Sequence, residues 1–345
     1  MKIDYSFAEL LSGGACKGFY YAGYIKAKEE LGLTDKQLGR KTLKIGVSIG
    51  SLFAAAMSVG VKFKEIREYL SKHKQELKGL FNISMLNPLL RFKLSKDENG
   101  YLMGLHGKEI RSTGISNTKV LEMIIDNFVG NAKFKDYKDL TIVGCDYSSG
   151  TEIVFNHIEH PDTKIKDAVL TSATVPGIFP ARKFKDNGKI KYTVDGGIYM
   201  NFPLDWFLVD KRIKNIIAVD LLSVSRENPK ELPHNQLETY LNSNFIATSQ
   251  KIRYIFKYVL HKNYEEAVKE QIFQAKVHEK IVKGEVQRRL FGKKKNILFL
   301  NPKIDDEYMV KTDFKHFEEL VTKGYEECKP LLKRFEEFIA RNKII

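Results

Sequence analysis

Short apolar runs alternate along this chain with segments in which apolar residues recur every three or four positions. A short run bounded by turn residues predicts a buried strand, and the longer spacing predicts one face of a helix. The runs predict a strand ending near Leu10 and strands at 43–47, 140–145, 152–156, 191–194, 216–222 and 296–300. The spaced segments predict helices at 19–31, 50–59, 63–70, 116–128, 165–174, 236–260, 264–283 and 314–340, the last with Pro330 as its weakest point.

This alternation predicts an α/β fold with a mostly parallel central sheet flanked by helices. The strand at 296–300 follows the helices predicted in the C-terminal third, so we expect those helices to be an insertion within one domain. The 345 residues then divide into a motif-bearing core at about 7–208, a helical and basic insertion at about 234–290, and a closing strand and helix at about 296–341, all within a single domain 1–345.

Composition narrows the class of protein. Hydrophobic residues make up 43% and charged residues 29% of the chain, which is ordinary for a globular protein. No stretch of 18 apolar residues occurs, and Asp4 falls where a signal peptide needs its apolar segment. Three widely separated cysteines form no disulfide framework, which suits a reducing compartment. We expect a cytoplasmic protein with no signal peptide and no transmembrane helix.

The net charge of +14 raises the question of an anionic partner. The excess is carried by 45 lysines against 12 arginines, and arginine is the residue preferred for contacts to nucleic-acid bases and phosphates. Residues 251–295 hold 13 basic and 5 acidic side chains, with apolar residues at helical spacing among them. Such a segment lies on an anionic membrane surface or packs its apolar face on the core. We expect peripheral membrane association and no nucleic-acid binding.

The first motif with chemical meaning is Gly46-Val47-Ser48-Ile49-Gly50. It is a G-x-S-x-G between a predicted strand and a helix rich in small residues. A sharp turn there exposes the serine, and the glycines remove side chains that would clash. The helix that follows directs its positive end at the site where negative charge develops on an oxyanion. Alone the pattern is weak, because chance produces it in about one chain in ten of this length.

A second turn, Gly13-Gly14-Ala15-Cys16-Lys17-Gly18, also connects a strand to a helix. Successive backbone N–H groups in such a turn form an anion-binding nest. The spacing fits neither the phosphate loop of nucleotide hydrolases nor the dinucleotide-binding fingerprint. An oxyanion hole is therefore the better interpretation. The third motif, Asp195-Gly196-Gly197, follows the strand at 191–194 and by itself would indicate only a turn.

Together, in this order, the three motifs resemble those of the patatin-like phospholipase family. The family carries a glycine-rich turn ending in a basic residue and glycine, then G-x-S-x-G, then D-G-[GA]. The stretches 171–180 (TSATVPGIFP) and 201–204 (NFPL) look alike as well. The clear resemblance covers about residues 7–208, and the strand near Ile297 with the helix containing Gly324 resembles the family's closing elements less specifically.

The resemblance implies a Ser-Asp dyad without a catalytic histidine. Ser48 would attack an ester carbonyl, Asp195 would act as general base, and amides of Gly13, Gly14 and Ala15 would hold the oxyanion. Motif support would come from Lys17, Gly18, Gly46, Gly50, Gly196 and Gly197. Lys17 would brace the turn or face a lipid phosphate. The family has glycine where this chain has Ala15; alanine keeps its N–H, so we expect a working turn if the φ angle of Ala15 is negative.

The resemblance implies a phospholipase A-type esterase that acts on phospholipid or another acyl lipid without cofactor or metal. It leaves room for an activating protein partner. Acyltransferase, lysophospholipase and triacylglycerol lipase activities stay open, as does a catalytically silent membrane-binding protein on the same fold. Apolar residues near the site, Phe53 and Phe179 among them, are candidates to receive an acyl chain, and 79–103 is a candidate lid.

An α/β-hydrolase is the competing fold, and it would need a histidine after the acid. The histidines after Asp195 are His234, His261, His278 and His316. They lie in predicted helices or beside basic residues, which does not favour a catalytic base. The early position of Ser48, with room for only one strand and helix before its own strand, also favours the patatin-like arrangement.

Overall fold

A mixed β-sheet forms the centre of the protein. The computed structural model describes residues 1–78, 118–176, 178–186, 188–222, 252–253, 255–260, 262–283, 286–309 and 312–342. Within these residues the strands are β1 (Lys2–Leu11), β2 (Arg40–Val47), β3 (Leu140–Asp146), β4 (Glu152–Phe155), β5 (Arg182–Asp186), β6 (Lys189–Asp195), β7 (Asn215–Val219), β8 (Ile272–Lys283) and β9 (Val286–Leu300). Their order is β5-β6-β3-β2-β1-β7-β9-β8, and β4 also pairs with β3.

Helices cover both faces of this sheet. Those described are α1 (Tyr20–Glu30), α2 (Asp35–Leu38), α3 (Ile49–Val59), α4 (Phe63–Lys72), α5 (Lys74–Lys78), α6 (Lys119–Val129), α7 (Ile165–Ser172), α8 (Gly197–Met200), α9 (Leu204–Val209), α10 (Tyr264–Glu270) and α11 (Phe314–Asn342). Short 3₁₀ turns occur at Ala15–Phe19, Phe134–Asp136 and Asp306–Met309, and a π-helical turn at Ile255–Val259.

The centre of the sheet is parallel, which confirms the predicted fold class. β3, β2, β1, β7 and β9 run in one direction, while β4, β5, β6 and β8 are antiparallel to their neighbours. Because parallel strands end at the same edge, the chain segments that follow β1, β2 and β7 meet there. The glycine-rich turn follows β1 and Ser48 follows β2, so the sheet topology brings the first two motifs together.

Two apolar layers hold the helices to the sheet. The larger one packs α1, α3, α6, α7 and α11 on one face, and the smaller one packs α9, the π-helical turn and α10 on the other. Aromatic rings dominate the smaller layer, where Phe256 lies 5.0 Å from Phe299 and 5.4 Å from Tyr264, centroid to centroid. The protein therefore has the three-layer arrangement expected when helices cover both faces of a parallel sheet.

Helix α11 packs closely against α1 through two glycines. A Cβ at Gly23 would lie 2.1 Å from the carbonyl oxygen of Val321, and one at Gly324 would lie 2.2 Å from that of Tyr20. The helix continues through Pro330 without ending, so the break considered there does not occur. Proline removes one backbone hydrogen bond, and the buried Cys328, Leu331 and Leu332 around it keep the helix on the core.

The predicted helix over 264–283 is wrong beyond Glu270. Gln271 takes a φ of 61°, which ends α10, and the chain then enters β8. Lys276–Lys283 belong to a long antiparallel pair with β9, so the basic segment ends in a β-hairpin rather than a helix. Phe273 and Ala275 are buried while Gln274 between them is exposed, which is the alternation of a strand.

Two further predictions fall mainly outside the described residues. The candidate lid at 79–103 lies there entirely, and the helix predicted at 236–260 lies there except for 252–253 and 255–260. Across the described residues, no helix combines the length and the apolar character needed to cross a membrane.

Candidate active site

Ser48 occupies a sharp, strained turn between β2 and α3. Its backbone angles are φ 52° and ψ −129°, a conformation that side chains other than glycine rarely adopt. The following residue already belongs to α3, so the turn is a single residue long. A strained serine between strand and helix is the arrangement that the G-x-S-x-G motif predicts.

The hydroxyl of Ser48 donates a hydrogen bond to the carboxylate of Asp195. The Oγ–Oδ2 distance is 2.5 Å, and the residues are 147 positions apart in the chain. β6 makes this contact possible, because its last residue, Asp195, pairs with Gly144 on β3, next to the end of β2. Ser48 is 6% exposed and Asp195 4% exposed, so both groups lie in a site largely shielded from water.

Burial sets the acidity of Asp195. It raises the pKa of this carboxyl to about 7, although the hydrogen bonds from the Ser48 hydroxyl and the Gly197 amide lower it. The Gly197 N–H donates to Oδ1 over 2.7 Å, which leaves Oδ2 for the serine. A carboxylate whose pKa lies near neutral pH is suited to accept a proton there, since general bases work best when their pKa is close to the working pH.

Ser172 braces both members of this pair. Its Oγ accepts a hydrogen bond from the Ser48 amide over 2.8 Å and donates one to the Val143 carbonyl over 2.5 Å. Its own carbonyl accepts from the Gly196 amide over 3.1 Å. One buried residue at the end of α7 therefore fixes the nucleophile turn and the loop after Asp195. The sequence placed Ser172 in a stretch that looks like the family's, but gave no role to it.

Asn201 links the glycine-rich turn to the same loop. Its Oδ1 accepts a hydrogen bond from the Gly13 amide over 3.0 Å, and its Nδ2 donates to the Gly13 carbonyl over 3.4 Å. The Gly13 N–H is therefore already engaged, which removes it from the set of amides free to hold an oxyanion in this conformation. Asn201 is 4% exposed and lies in the NFPL stretch, whose pattern alone did not indicate this contact.

The N–H groups of Gly14 and Ala15 are not donors in the hydrogen bonds of the 3₁₀ turn. The first hydrogen bond of that turn runs from the Lys17 amide to the Gly14 carbonyl over 3.0 Å, so Gly14 and Ala15 precede its first donor. Helix starts of this kind direct N–H groups and positive charge at anions.

The φ angle of Ala15 is positive, at 48°, so the condition on which we expected a working turn, a negative φ, is not met. The chain has only Ser12, Gly13 and Gly14 in which to turn from β1 into the 3₁₀ helix, and the backbone takes up the left-handed conformation at the next residue. The cost for a residue with a Cβ is about 1–2 kcal/mol. The Ala15 side chain packs beside Leu222 and Met309, which offsets part of this cost.

The remaining motif residues allow close backbone approach or lie beneath the site. A Cβ at Gly50 would lie 2.2 Å from the Leu11 carbonyl, and one at Gly196 would lie 2.0 Å from the Val143 carbonyl. A side chain would also clash at Gly13, Gly18, Gly46 and Gly197. Lys17 is only 1% exposed, which favours the bracing role over a role facing lipid phosphate.

A small apolar cavity lies along α3, the helix that follows Ser48. One face of α3 lines it with Ile49, Leu52, Phe53 and Ala56, starting at the residue after Ser48. Apolar residues of α4, α6 and the 3₁₀ turn complete the walls of a space of about 40 Å³. Phe53 therefore lies where the sequence proposed an acyl-binding residue. Phe179 and Phe202 are buried but do not line this cavity.

No histidine is hydrogen-bonded to Ser48 or Asp195 among the side chains that the structure describes. Of the four histidines after Asp195, His316 is the one whose side chain is described, and it pairs with Asp313 and lies against the ring of Tyr308. The same described residues contain no group of three or more histidine, cysteine, aspartate or glutamate side chains arranged to hold a metal ion.

The family model for patatin-like phospholipase matches residues 10–208, more than half of the chain. The chain belongs to the patatin-like phospholipase family. The matched span contains all three motifs and the bracing residues Ser172 and Asn201. The family's class, lipid acyl hydrolases, is therefore the coarse functional class of this protein.

The individual proteins that the chain resembles in sequence are distant relatives. The chain is 27% identical over 241 residues to the uncharacterized protein YqhO of Bacillus subtilis, covering 67% of this chain and 76% of that protein. It is also 27% identical over 240 residues to the probable lipid hydrolase 463L of Invertebrate iridescent virus 6, covering 66% and 74%.

Solved structures resemble the chain loosely. VipD from Legionella pneumophila aligns with a TM-score of 0.43 and 14% identity, over 96% of this chain and 67% of that one. Human GIVD cytosolic phospholipase A2 aligns with a TM-score of 0.44 and 12% identity, over 99% and 60%. This patatin-like protein spans about three fifths to two thirds of the length of these two structures.

Proposed function

We propose that this protein hydrolyses the fatty acyl esters of phospholipids through an acyl-serine intermediate. The observation that carries the proposal is the hydrogen bond from Ser48 to a buried aspartate whose pKa lies near 7. Ser48 Oγ attacks the ester carbonyl as its proton passes to Asp195. The carbonyl oxygen becomes an oxyanion held by the amides of Gly14 and Ala15, with help from the positive end of α3.

The second half of the reaction uses the same groups in reverse. The tetrahedral intermediate collapses, the alcohol leaves with the proton held by Asp195, and the acyl group stays on Ser48. Water then attacks the acyl-serine while Asp195 accepts its proton, and the fatty acid leaves as Ser48 Oγ regains a proton. The cavity along α3 supports a fatty acyl substrate, because its walls are apolar and the helix that lines it starts one residue after Ser48.

The proposal includes reversible contact with a membrane, where phospholipids are found. The net charge of +14 supports attraction to anionic lipid headgroups. The proposal is also compatible with an activating protein partner, since a second protein can order helix starts and loops at the site.

A direct test is the release of fatty acid from phospholipid vesicles by the full chain, measured by mass spectrometry. We expect Ser48→Ala to lose release to the level of buffer, because it removes the nucleophile. Ser149→Ala is the matched control, since Ser149 is an exposed serine in the turn between β3 and β4, outside the dyad. Full activity in the Ser48 variant would disprove the proposed mechanism.

A catalytically silent membrane-binding protein is the second candidate. The positive φ of Ala15 favours it, because strain at an oxyanion amide opposes the geometry that catalysis needs. Binding of wild-type protein to vesicles without product, with and without cell extract as a source of activator, would support this candidate over the hydrolase.

A further inference from the structure

The β5–β6 hairpin projects beyond the catalytic edge of the sheet. On β6, Thr193 pairs with Asp146, which is the last residue of β3. The four preceding residues, 189–192, therefore extend past the end of β3 by about 13 Å at 3.3 Å per residue. Ser48 follows the end of β2 at the same edge, so the hairpin projects from the edge of the sheet that carries the candidate site.

The two faces of this hairpin differ in chemistry. Its inward face carries Phe184, whose ring lies 5.0 Å from Phe155 and 5.5 Å from His160. Its outward face consists of two cross-strand pairs, Lys183 with Tyr192 and Lys185 with Ile190. Ile190 is 66% exposed and Tyr192 45% exposed, so each lysine stands beside an apolar or aromatic side chain in solvent.

The charges on the outward face are not neutralised by acidic partners within the described structure. No ion pair occurs there for Lys183 or Lys185 among the described residues, whereas Lys191 on the inward face pairs with Asp186 over 2.7 Å. The Lys183 ammonium instead lies 5.9 Å from the ring of Tyr192. The outward face therefore presents positive charge and exposed apolar surface together.

A second aromatic residue extends this surface toward the site. Tyr147, in the turn after β3, is 70% exposed, and its amide donates a hydrogen bond to the Tyr192 carbonyl over 2.8 Å. Tyrosine, with an apolar ring and a polar hydroxyl, suits the boundary between lipid headgroups and acyl chains. Lysines around it are attracted to anionic headgroups.

We propose that the outward face of the β5–β6 hairpin, together with Tyr147, docks on the surface of an anionic lipid bilayer. Ile190, Tyr192 and Tyr147 enter the headgroup region while Lys183 and Lys185 contact lipid phosphates. Docking in this way turns the catalytic edge toward the membrane. The orientation of the catalytic edge toward the membrane rests on the proposed lipid hydrolysis. The binding itself can be measured without turnover.

The opposite edge of the sheet offers matched controls. Ile158 is 72% exposed, as prominent as Ile190, but it follows β4, which runs away from the catalytic edge. Lys36 and Lys138 are exposed lysines that precede β2 and β3 and so lie at the far edge as well. Substitutions at these positions change the same chemistry without touching the hairpin.

The test is sedimentation of the full chain with vesicles of phosphatidylcholine, with and without phosphatidylserine. In one variant Lys183→Glu is combined with Lys185→Glu, and in another Ile190→Ser is combined with Tyr192→Ser. We expect each double variant to weaken binding to the anionic vesicles by at least about tenfold. For the lysine variant the reason is that each lysine near an anionic surface contributes roughly fivefold in affinity. The controls, Ile158→Ser and the pair Lys36→Glu with Lys138→Glu, are expected to bind within about twofold of wild type.

Several results would overturn the proposal. These are unchanged binding in the hairpin variants, an equal loss in the controls, and wild-type binding that ignores phosphatidylserine. A change of oligomeric state in the hairpin variants with unchanged vesicle binding would assign the surface to a second copy of the chain instead. A direct readout comes from Ile190→Trp with Trp206→Phe, whose emission should shift to the blue and be quenched by brominated lipid; unchanged emission would contradict docking.

Failure of docking and failure of hydrolysis give different patterns. Ser48→Ala should sediment with anionic vesicles as wild type does, since Ser48 lies outside the hairpin surface. Hairpin variants should hydrolyse a soluble short-chain ester at the wild-type rate and lose rate only on vesicles. If wild type hydrolyses neither substrate but sediments through the hairpin, the proposed function fails while the docking surface stands.

Discussion

Buried carboxylates in two halves of the sheet have opposite surroundings. Glu9, on β1, has its carboxylate beside the amino-terminal half of β2. It is 1% exposed and accepts hydrogen bonds from Tyr24 over 2.7 Å and Thr42 over 3.1 Å, and from the Lys28 ammonium. Burial raises the pKa of Glu9, but Lys28 and Lys44 outweigh it and hold this pKa below its usual value.

The same half contains a second lysine-centred group. The Lys44 ammonium lies 2.6 Å from Asp35 and 3.3 Å from Asp139, and Lys41 lies 2.9 Å from Asp139. Burial raises the pKa of Asp139, yet the two lysines bring it below the usual value. Each buried negative charge there has at least one buried or half-buried cation.

Asp195, at the carboxyl edge, is as buried, but within the described part of the chain its hydrogen-bond donors are both neutral, the Ser48 hydroxyl and the Gly197 amide. Its pKa therefore rises to about 7 where those of Glu9 and Asp139 fall. Burial is common to both halves, so the cations decide the difference. The lysines favour the ionised form of Glu9 and Asp139, whereas Asp195, the proposed general base, is left able to gain and lose a proton near neutral pH.

The largest expected effect comes from replacing Asp195, the buried carboxylate whose hydrogen-bond donors are neutral. We expect Asp195→Asn to lower the rate of ester hydrolysis by about 10²- to 10⁴-fold, because the amide cannot accept the serine proton. The measurement is turnover of a soluble ester at saturating substrate. Asp205→Asn is the control: burial also raises the pKa of Asp205, but no serine nucleophile contacts it, so its rate should stay near wild type. Equal losses in the two variants would contradict the assignment of the base.

Removing a cation from the other half should affect stability rather than chemistry. We expect Lys44→Met to lower the free energy of unfolding by about 3–5 kcal/mol, because Asp35 and Asp139 stay buried without the Lys44 ammonium. Thermal denaturation measures this, with Lys36→Met, an exposed lysine of α2, as the control that changes little. A Lys44 variant as stable as wild type would show that the lysine does not compensate the carboxylates.

The contributions of Glu9 and Asp139 to the free energy of unfolding should change with pH in the opposite direction to that of Asp195. The lowered pKa values of Glu9 and Asp139 mean that they contribute stability above their unfolded pKa, which is lost as pH falls through the folded value. The raised pKa of Asp195 means that its protonated form favours the folded state, and this contribution is lost as pH rises from about 4 to about 7.

Asp195→Asn separates the second contribution. We expect the free energy of unfolding of the variant, relative to wild type, to increase as pH rises from 4 to 7, by up to about 4 kcal/mol for a pKa shift of this size. Above pH 7 the difference should stay constant. Melting temperatures of the two proteins across this range measure the gain. A difference that does not change with pH would mean that Asp195 is not protonated in that range.

The smallest expected effect concerns Ala15. We expect Ala15→Gly to raise the free energy of unfolding by about 1 kcal/mol or less, because glycine tolerates the φ of 48° while the packing of the methyl group is lost. Hydrolysis should rise modestly, by a few fold, as the oxyanion amides relax. Ala54→Gly, inside α3, is the contrasting control and should destabilise the protein by about the same amount. A loss of activity in Ala15→Gly would indicate that the strained turn is required.

The fold class was predictable from sequence because it depends on local patterns, whereas the Ser-Asp dyad was implied by the family resemblance and stays a prediction. A short apolar run predicted β2, and the glycines around Ser48 predicted a tight turn. The relation between these elements came from the order of the motifs, which resembles that of one family. The sheet register then placed Asp195 beside the end of β2.

Other parts depended on contacts that no local pattern specifies. The spacing of apolar residues predicted a helix over 264–283, although Phe273, Ala275 and Val277 also alternate with polar residues as they do in a strand. The roles of Ser172 and Asn201 depend on backbone partners far away in sequence, with Asn201 188 positions from Gly13. The positive φ of Ala15 follows from the short connection out of β1, whose geometry only the folded chain defines.

The most direct test of the central claim is the rate at which a fluorophosphonate labels the protein as a function of pH. Such a probe reacts with a serine whose proton has a base to accept it. We expect the labelling rate of wild type to rise with a midpoint near pH 7, the pKa of Asp195, to be lost in Ser48→Ala, and to be low and without this midpoint in Asp195→Asn. A midpoint near 7 that persists in the Asp195 variant would contradict the assignment of this uncompensated carboxylate as the base.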